Sequence, residues 1–134
     1  MALSQRLEPI MAKTKWPKLP CYQIPLFQSA NVYLCRSKDE WVEAEASIGL
    51  PAAADLKGSA GRCREFINDV TGESLYLIGV FDNKLATLVH ECAHATFYCC
   101  SDVGVTTNPA DANETYCYLL DRMFSAFLPH IKQD

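Results

Sequence analysis

The sequence predicts a single α+β domain in which a small, mostly antiparallel sheet of three or four strands packs on two long helices. The length of 134 residues suits one hydrophobic core. Two runs with strand composition, residues 62–70 and 73–81, flank a turn. Apolar residues then recur at helical spacing in residues 84–101 and 108–127. The hydrophobic content of 49% is that of a globular chain and excludes a disordered one.

The first 35 residues predict an arm and two short strands. Residues 1–20 contain three lysines and three prolines, a composition that favours a loose peripheral arm. Residues 22–27 and 31–35 have extended character. Because Pro25 cannot donate to a neighbouring strand, the first of these two strands is expected at an edge of the sheet.

The middle of the chain predicts a helix, a loop and a β-hairpin. Ser37 and Glu40 form a capping box, which predicts a helix that starts there and stops before Gly49. Residues 51–61 are rich in Ala and Gly and predict a loop. Thr71-Gly72 supplies the turn between the two strands that follow.

The first long helix is predicted over residues 84–101, after Asp82-Asn83, which offers capping side chains. A core-facing stripe is formed by Leu85, Leu88, Val89, Cys92, Thr96 and Cys99. The opposite stripe holds Thr87, His90, Glu91, His94 and Tyr98. The two histidines therefore project from the same side of the helix, one turn apart.

The second long helix is predicted to start at Asn108-Pro109, with Asn as the cap and Pro in the first turn, and to end near Phe127. Its expected core stripe is Tyr116, Leu119, Leu120, Met123, Phe124 and Phe127. The other face carries Glu114, Cys117, Tyr118 and Asp121.

Charge and cysteine usage restrict the possible surroundings of the chain. With 12 basic and 16 acidic residues the formal charge is −4, which argues against nucleic-acid binding. No apolar run approaches the roughly 20 residues of a membrane span, and no signal peptide is recognisable, so we expect a cytoplasmic protein. The seven cysteines include no CxxC pair and are expected to be reduced and mostly buried.

The most informative motif is His90-Glu91-Cys92-Ala93-His94, which has the HExxH pattern. Two imidazoles at positions i and i+4 of a helix can both reach one ion at the ~2.0–2.1 Å of zinc–nitrogen bonds. A catalytic zinc needs a third protein ligand and leaves a position for water. Glu114, near the start of the next helix, is the expected third ligand. Glu91 is then placed to take a proton from the attacking water.

With Asn113-Glu114 on the following helix, His90-Glu91-x-x-His94 resembles the gluzincin class of zincin metallopeptidases, the thermolysin-like arrangement. The likeness covers about residues 73–128. It implies one Zn²⁺ per chain held by His90, His94 and Glu114, with Glu91 as general base and proton shuttle. It also implies a peptide or protein substrate, laid in extended form against the strand 73–81.

A looser similarity links the chain to small metallopeptidases encoded by phages and prophages, which carry a strand such as Tyr-Leu-Ile-Gly-Val-Phe-Asp before the motif. That similarity implies the host cytoplasm as the location of the protein.

The chain departs from the thermolysin pattern four residues after Glu114, where an Asp that orients a ligand histidine is replaced by Tyr118. Asp121 lies two turns along the same face and is a candidate substitute. The group that stabilises the oxyanion has three candidates, Tyr118, Tyr116 and His130. Tyr118 is favoured because of its face on the helix.

Three hypotheses about the function of the site follow. The leading one is a minimal zinc metallopeptidase that hydrolyses peptide bonds with metal-activated water. The alternative is a metal-binding, zincin-shaped protein without protease activity, such as a phage assembly factor, a chaperone or a host-interaction protein. A third reading is a non-haem iron site, because two histidines and one carboxylate also suit Fe(II).

Overall fold

The structure, a computed structural model, describes residues 3–5, 15–51, 56–111 and 113–132. One sheet of five strands organises the chain, in the order β1-β4-β5-β3-β2. The strands are β1 (Leu3–Gln5), β2 (Cys21–Gln23), β3 (Ala30–Cys35), β4 (Gly61–Asn68) and β5 (Ser74–Val80). The predicted edge position of the strand before Pro25 is confirmed, since β2 pairs only with β3 among the described residues.

The prediction of an α+β fold is confirmed, but the sheet has five strands rather than three or four, and it is mixed rather than mostly antiparallel. The hairpin β4–β5 and the pair β2–β3 are antiparallel. The pairs β3–β5 and β1–β4 are parallel. The reason is the connection after β3, which runs through a helix and β4 before β5 returns beside β3. Such crossovers join parallel strands, and turn residues in the sequence do not predict them.

Three helices accompany the sheet: α1 (Lys38–Ser47), α2 (Leu85–Val103) and α3 (Glu114–Phe127). Short 3-10 turns span Leu26–Gln28 and Leu128–His130. The predicted cap of α1 is present, because the Ser37 hydroxyl accepts a hydrogen bond from the Glu40 backbone N–H at 3.1 Å. At the other end of α2, Gly104 adopts φ +75°, the left-handed conformation that stops a helix with least strain when the residue is glycine.

Helix α3 begins five residues later than predicted, with Asn113 rather than Asn108 as its cap residue. The segment before it forms a turn in which side chains satisfy the backbone. The Asn108 side-chain oxygen accepts from the Ala110 N–H at 2.9 Å, and the Thr106 hydroxyl accepts from the Asn108 N–H at 3.1 Å. Such local bonds compete with helix formation. Glu114 is consequently the first residue of α3.

The two faces of the sheet carry separate cores. Helices α2 and α3 cover one face, where α2 lies over β4 and β5 and α3 packs on α2 and beside β2. Helix α1 covers the other face with Trp41, Ala44 and Ile48. Most of the predicted stripes are buried: Leu88, Cys92, Thr96, Cys99, Leu119, Met123 and Phe127. Val89, predicted to face the core, is instead 42% exposed.

The N-terminal region is more integrated than the predicted loose arm. Leu3–Gln5 adds the strand β1 to the sheet, parallel to the end of β4. Trp16 packs edge-on against Tyr33, with ring centroids 5.0 Å apart, and it joins Leu19 on the α1 side of the sheet. Residues 6–14, also part of the predicted arm, lie outside the described residues.

All seven cysteines are free thiols. Four of them, Cys35, Cys92, Cys99 and Cys100, are buried, whereas Cys21 and Cys117 are exposed. None of the helices in the described part of the chain has the length and apolar character needed to cross a membrane.

Candidate functional site

The structure brings together His90, Glu91 and His94 on helix α2. One ligand atom from each of the three side chains lies within 4.8 Å of the others, a grouping that could hold a metal ion. Both histidines are exposed, and Glu91 is buried. The helix makes this grouping by itself, since residues i and i+4 lie one above the other on one face.

The two imidazoles have a separation that suits a shared zinc ion. The Nε2 atoms of His90 and His94 are 3.2 Å apart, and the rings are nearly perpendicular at 78°. Two nitrogens that bind one tetrahedral zinc at ~2.0–2.1 Å lie roughly 3.3 Å apart. Without metal, the same distance allows one neutral ring to donate a hydrogen bond to the other. The distance between the two nitrogens is therefore compatible with a shared metal ion.

Glu91 departs from the exposed stripe on which the sequence placed it. Only 6% of its surface is exposed, because β4 passes close to α2 at Gly61. A Cβ on Gly61 would lie 2.6 Å from the Thr87 methyl, 2.7 Å from the Gly79 carbonyl oxygen and 2.8 Å from Glu91 Oε2. Only glycine lets the strand approach the helix this closely. The Glu91 carboxylate is thus held between the helix and the start of β4.

Burial changes the acid–base properties of this carboxylate. Desolvation raises the pKa of Glu91, and the neighbouring His90 partly opposes that increase. A raised carboxyl pKa brings the group closer to the neutral range in which general bases work best. Glu91 also acts on a neighbouring thiol: burial, followed by the Glu91 charge, raises the pKa of Cys92 to about 12. Cys92 is buried in the core and lies outside the metal-ligand cluster of the described residues.

A shallow cleft of about 380 Å³ opens beside the cluster, lined by Ala60, Gly61, Ala86, Thr87, His90 and Glu91. Its wall is fixed by Asp82 at the start of α2. The Asp82 carboxylate accepts from the Lys84 backbone N–H at 3.1 Å and from the Thr87 hydroxyl at 2.7 Å. These bonds fix the turn before α2 and hold Thr87 beside Gly61, so this turn positions the wall of the cleft. The side-chain cap predicted from Asp82-Asn83 is not formed, since the N-cap residue of α2 is Lys84 and its side chain makes no capping hydrogen bond.

Among the described residues, the strand next to this cleft has an open edge. Strand β1 pairs with β4 only at Phe66–Asn68, and no described residue pairs with residues 61–65 on the side away from β5. The expectation that a peptide lies against residues 73–81 is wrong, because β5 pairs with β4 on one side and β3 on the other. Its backbone groups are already used. The free backbone groups next to the cluster belong to β4.

Glu114, the expected third ligand, is exposed at the first turn of α3. Within the part of the chain that the structure describes, the metal-ligand cluster comprises His90, Glu91 and His94 and does not include Glu114. The structure thus brings the two histidines together but leaves Glu114 outside their group. The role of Glu114 as a ligand stays a prediction.

Tyr118 lies in a different groove. Its side chain is 56% exposed, and the Arg122 guanidinium lies 5.9 Å from its ring centroid. Both residues line a groove of about 350 Å³ between α3 and the turn that contains Pro25 and Leu26. This groove does not include the residues around Glu91, so the structure does not bring Tyr118 to the cleft beside Glu91.

The other residues predicted to assist the site are also dispersed. Tyr116 packs against Phe97, with ring centroids 4.7 Å apart, and helps to join α3 to α2. Asp121 is exposed and accepts a hydrogen bond from the Ser125 hydroxyl at 3.4 Å. His130 is exposed in the turn after α3. None of the three belongs to the metal-ligand cluster of the described residues.

Sequence reasoning missed the contribution of β4. Gly61 and the edge beside it shape the cleft, but a lone glycine after an Ala- and Gly-rich stretch gives no such indication. The available signal is the alternation after Gly61, in which Arg62 and Arg64 alternate with Cys63 and Glu65. This alternation assigns the two faces of the strand, although it does not reveal which edge is open.

Removing the His94 imidazole should strongly weaken zinc binding. We expect purified wild-type protein to hold about one zinc per chain and His94→Ala to bind it more than about 100-fold more weakly, since even outer-shell partners matter about 10- to 100-fold. Elemental analysis and titration with a zinc indicator measure this, and the same analysis detects iron. His130→Ala, which removes an exposed histidine outside the cluster, is the control. Equal zinc content in all three proteins would contradict the site.

Comparisons of the chain with protein-family models, with curated proteins and with solved structures give no match.

Proposed function

We propose that the chain is a zinc-dependent hydrolase of peptide bonds. The observation that supports this best is the combination on one helix of two Nε2 atoms 3.2 Å apart with a buried carboxylate that lines the same cleft. Metal binding alone would not need a carboxylate kept free to act as a base, and we assign that role, rather than that of a ligand, to Glu91. Peptide hydrolysis needs such a base, which takes a proton from the attacking water.

The chemistry is divided among these residues. His90 and His94 would hold Zn²⁺, which when bound supplies Lewis-acid polarisation of the peptide carbonyl and of the attacking water. Glu91 accepts the proton of the water at a carboxylate oxygen. After the carbon–nitrogen bond breaks, the same oxygen returns that proton to the leaving amine. The raised pKa of Glu91 favours uptake of the proton, and the leaving amine is basic enough to take that proton afterwards.

The edge of β4 would orient the substrate. An extended peptide that adds a strand there places its backbone across the mouth of the cleft, with alternate side chains toward α2. Hydrogen bonds to the free backbone groups of residues 61–65 would fix its register. Because Gly61 has no side chain, β4 itself lies against Glu91, so this edge begins beside the carboxylate.

A second candidate function is a zinc-binding protein that engages a partner without cutting it. The position of Glu114 favours this candidate, since a catalytic zinc normally has three protein ligands and Glu114 lies outside the cluster. The two candidates share the histidine pair and the strand edge. They differ in whether bound peptide is cleaved.

The test is cleavage of a mixed peptide library, read by mass spectrometry. We expect zinc-loaded protein to produce new peptide termini, a chelator to stop the reaction, and added zinc to restore it. The His94→Ala variant, purified in parallel, controls for contaminating proteases. If zinc-loaded wild type and His94→Ala cleave the library equally or not at all, peptide hydrolysis is not the function.

A further inference from the structure

The two faces of β4 differ in chemistry where the strand edge is open. Gly61 faces α2, next to Thr87 and Glu91. The next residue, Arg62, faces the other way, with its guanidinium 5.8 Å from the ring centroid of Trp41 in α1. A peptide paired with this edge would therefore present one side chain toward the cleft and the adjacent one toward Arg62.

The two arginines of β4 differ in their partners. Arg64 donates a hydrogen bond to Glu45 Oε2 at 2.8 Å, and Glu45 is buried. Arg62 forms no ion pair with a carboxylate among the described residues, and its charge reaches Glu45 only at longer range. Two guanidinium groups thus face one carboxylate on this side of the strand. The charge that is left without a direct partner is that of Arg62.

Arg62 is also held in position. Its contact with the Trp41 ring is a cation–π interaction, which restricts the guanidinium to the surface beside the strand. Trp41 itself is fully buried and packs over Gly79 of β5. The guanidinium therefore sits on a rigid base, with donor N–H groups available for a carboxylate that comes to the edge.

We propose that Arg62 selects extended peptides that carry an acidic side chain next to the residue facing the cleft of His90 and Glu91. Side chains directly opposite each other on paired strands have Cβ atoms about 4.5–5.5 Å apart, which is within reach of an Arg–carboxylate pair. Glu45 opposes such a ligand only weakly, because the charge of Glu45 is paired with that of Arg64. Cleavage of these peptides rests on the proposed function, whereas their binding does not.

The expected selectivity is moderate because the pair forms at a half-exposed edge. Exposed ion pairs are worth up to about 1 kcal/mol, which corresponds to a preference of about threefold to fivefold for Glu over Gln. Salt should reduce this preference, since the partners are accessible to screening ions.

The experiment uses two pools of extended peptides that are identical except that one position holds Glu in the first pool and Gln in the second. Affinity is measured with zinc-loaded Glu91→Gln protein, in which peptides are not consumed, and cleavage is measured with the wild type. We expect the Glu pool to be preferred about threefold to fivefold in both measurements. Arg62→Gln should remove the preference, and Arg62→Lys should restore much of it.

The matched control is Arg122→Gln, which removes a guanidinium from the separate groove beside Tyr118. We expect it to keep the wild-type preference. Equal binding of the two pools by wild type, or a preference that survives Arg62→Gln, would overturn the role of Arg62. If neither pool is cleaved but the Glu pool binds better through Arg62, the inference stands and the proposed hydrolysis is wrong.

Discussion

Replacing Glu91 with glutamine should reduce peptide hydrolysis by about 10²- to 10⁴-fold, the range that a positioned general base contributes. Glutamine has nearly the same shape as glutamate but cannot take up the proton of the attacking water. Zinc binding should remain, since the histidine pair is unchanged. The fold should remain as well, because burial already disfavours the charge of Glu91 and the amide removes that cost.

Three measurements on the same preparation make this result interpretable. Peptide cleavage gives the rate, elemental analysis gives the zinc content, and thermal unfolding shows that the variant is folded. Glu43→Gln, a change of the same kind at an exposed position of α1, should leave all three unchanged. A Glu91→Gln protein that binds zinc and cleaves peptides at the wild-type rate would exclude Glu91 as the base.

A second large effect is expected from Glu65, which lies on β4 below the C-terminal end of α2. Its side chain is 2% exposed, and its Oε2 atom has no hydrogen-bond partner. The Tyr76 hydroxyl beside it donates to Asp102 Oδ2 at 2.6 Å. Burial, reinforced by Asp102, raises the pKa of Glu65 from its ordinary 4.5 to about 8. The folded protein therefore retains a proton that the unfolded chain releases.

The direction of the pH dependence follows from this difference. Below about pH 4.5 the Glu65 carboxyl is protonated in both the folded and the unfolded protein, so its burial as a charge does not reduce the free energy of unfolding. As the pH rises toward about 8, only the unfolded chain loses the proton, so the free energy of unfolding falls. Glu65→Gln should remove this fall and stabilise the protein near pH 8 by on the order of a few kcal/mol.

Urea unfolding at several values between pH 5 and pH 8 would measure the effect, with a chelator present so that zinc binding does not contribute. The control is Glu73→Gln, an exposed glutamate at the start of β5, which should keep the wild-type slope. Parallel profiles for the wild type and Glu65→Gln would show that Glu65 is not the group that binds the extra proton.

The elements with local signals were predictable from the sequence. The β4–β5 hairpin and the cap of α1 each depend on a few neighbouring residues, and the structure has both. The pairing of β1 with β4 joins residues about sixty positions apart, so no local pattern could reveal it. The mixture of parallel and antiparallel pairs in the sheet likewise depends on pairing between strands that are distant in the sequence.

The candidate site likewise has one part that the sequence predicts and another part that depends on contacts between distant segments. The spacing of His90 and His94 fixes their common face, because one helix carries both. The burial of Glu91 depends instead on a strand that approaches from elsewhere, and the exposed position of Glu114 depends on where α3 begins. A side-chain hydrogen-bonded turn delays that start. Sequence spacing alone could not place Glu114 relative to the histidines.

The open edge of β4 has a consequence for self-association. An unpaired strand edge can recruit the same edge of another copy and begin aggregation. If two copies paired antiparallel about Cys63, Arg62 of one would stand opposite Arg64 of the other, and like charges in that arrangement destabilise the pair. The two arginines would thus keep copies of the chain apart. They leave the edge free for a strand of opposite charge.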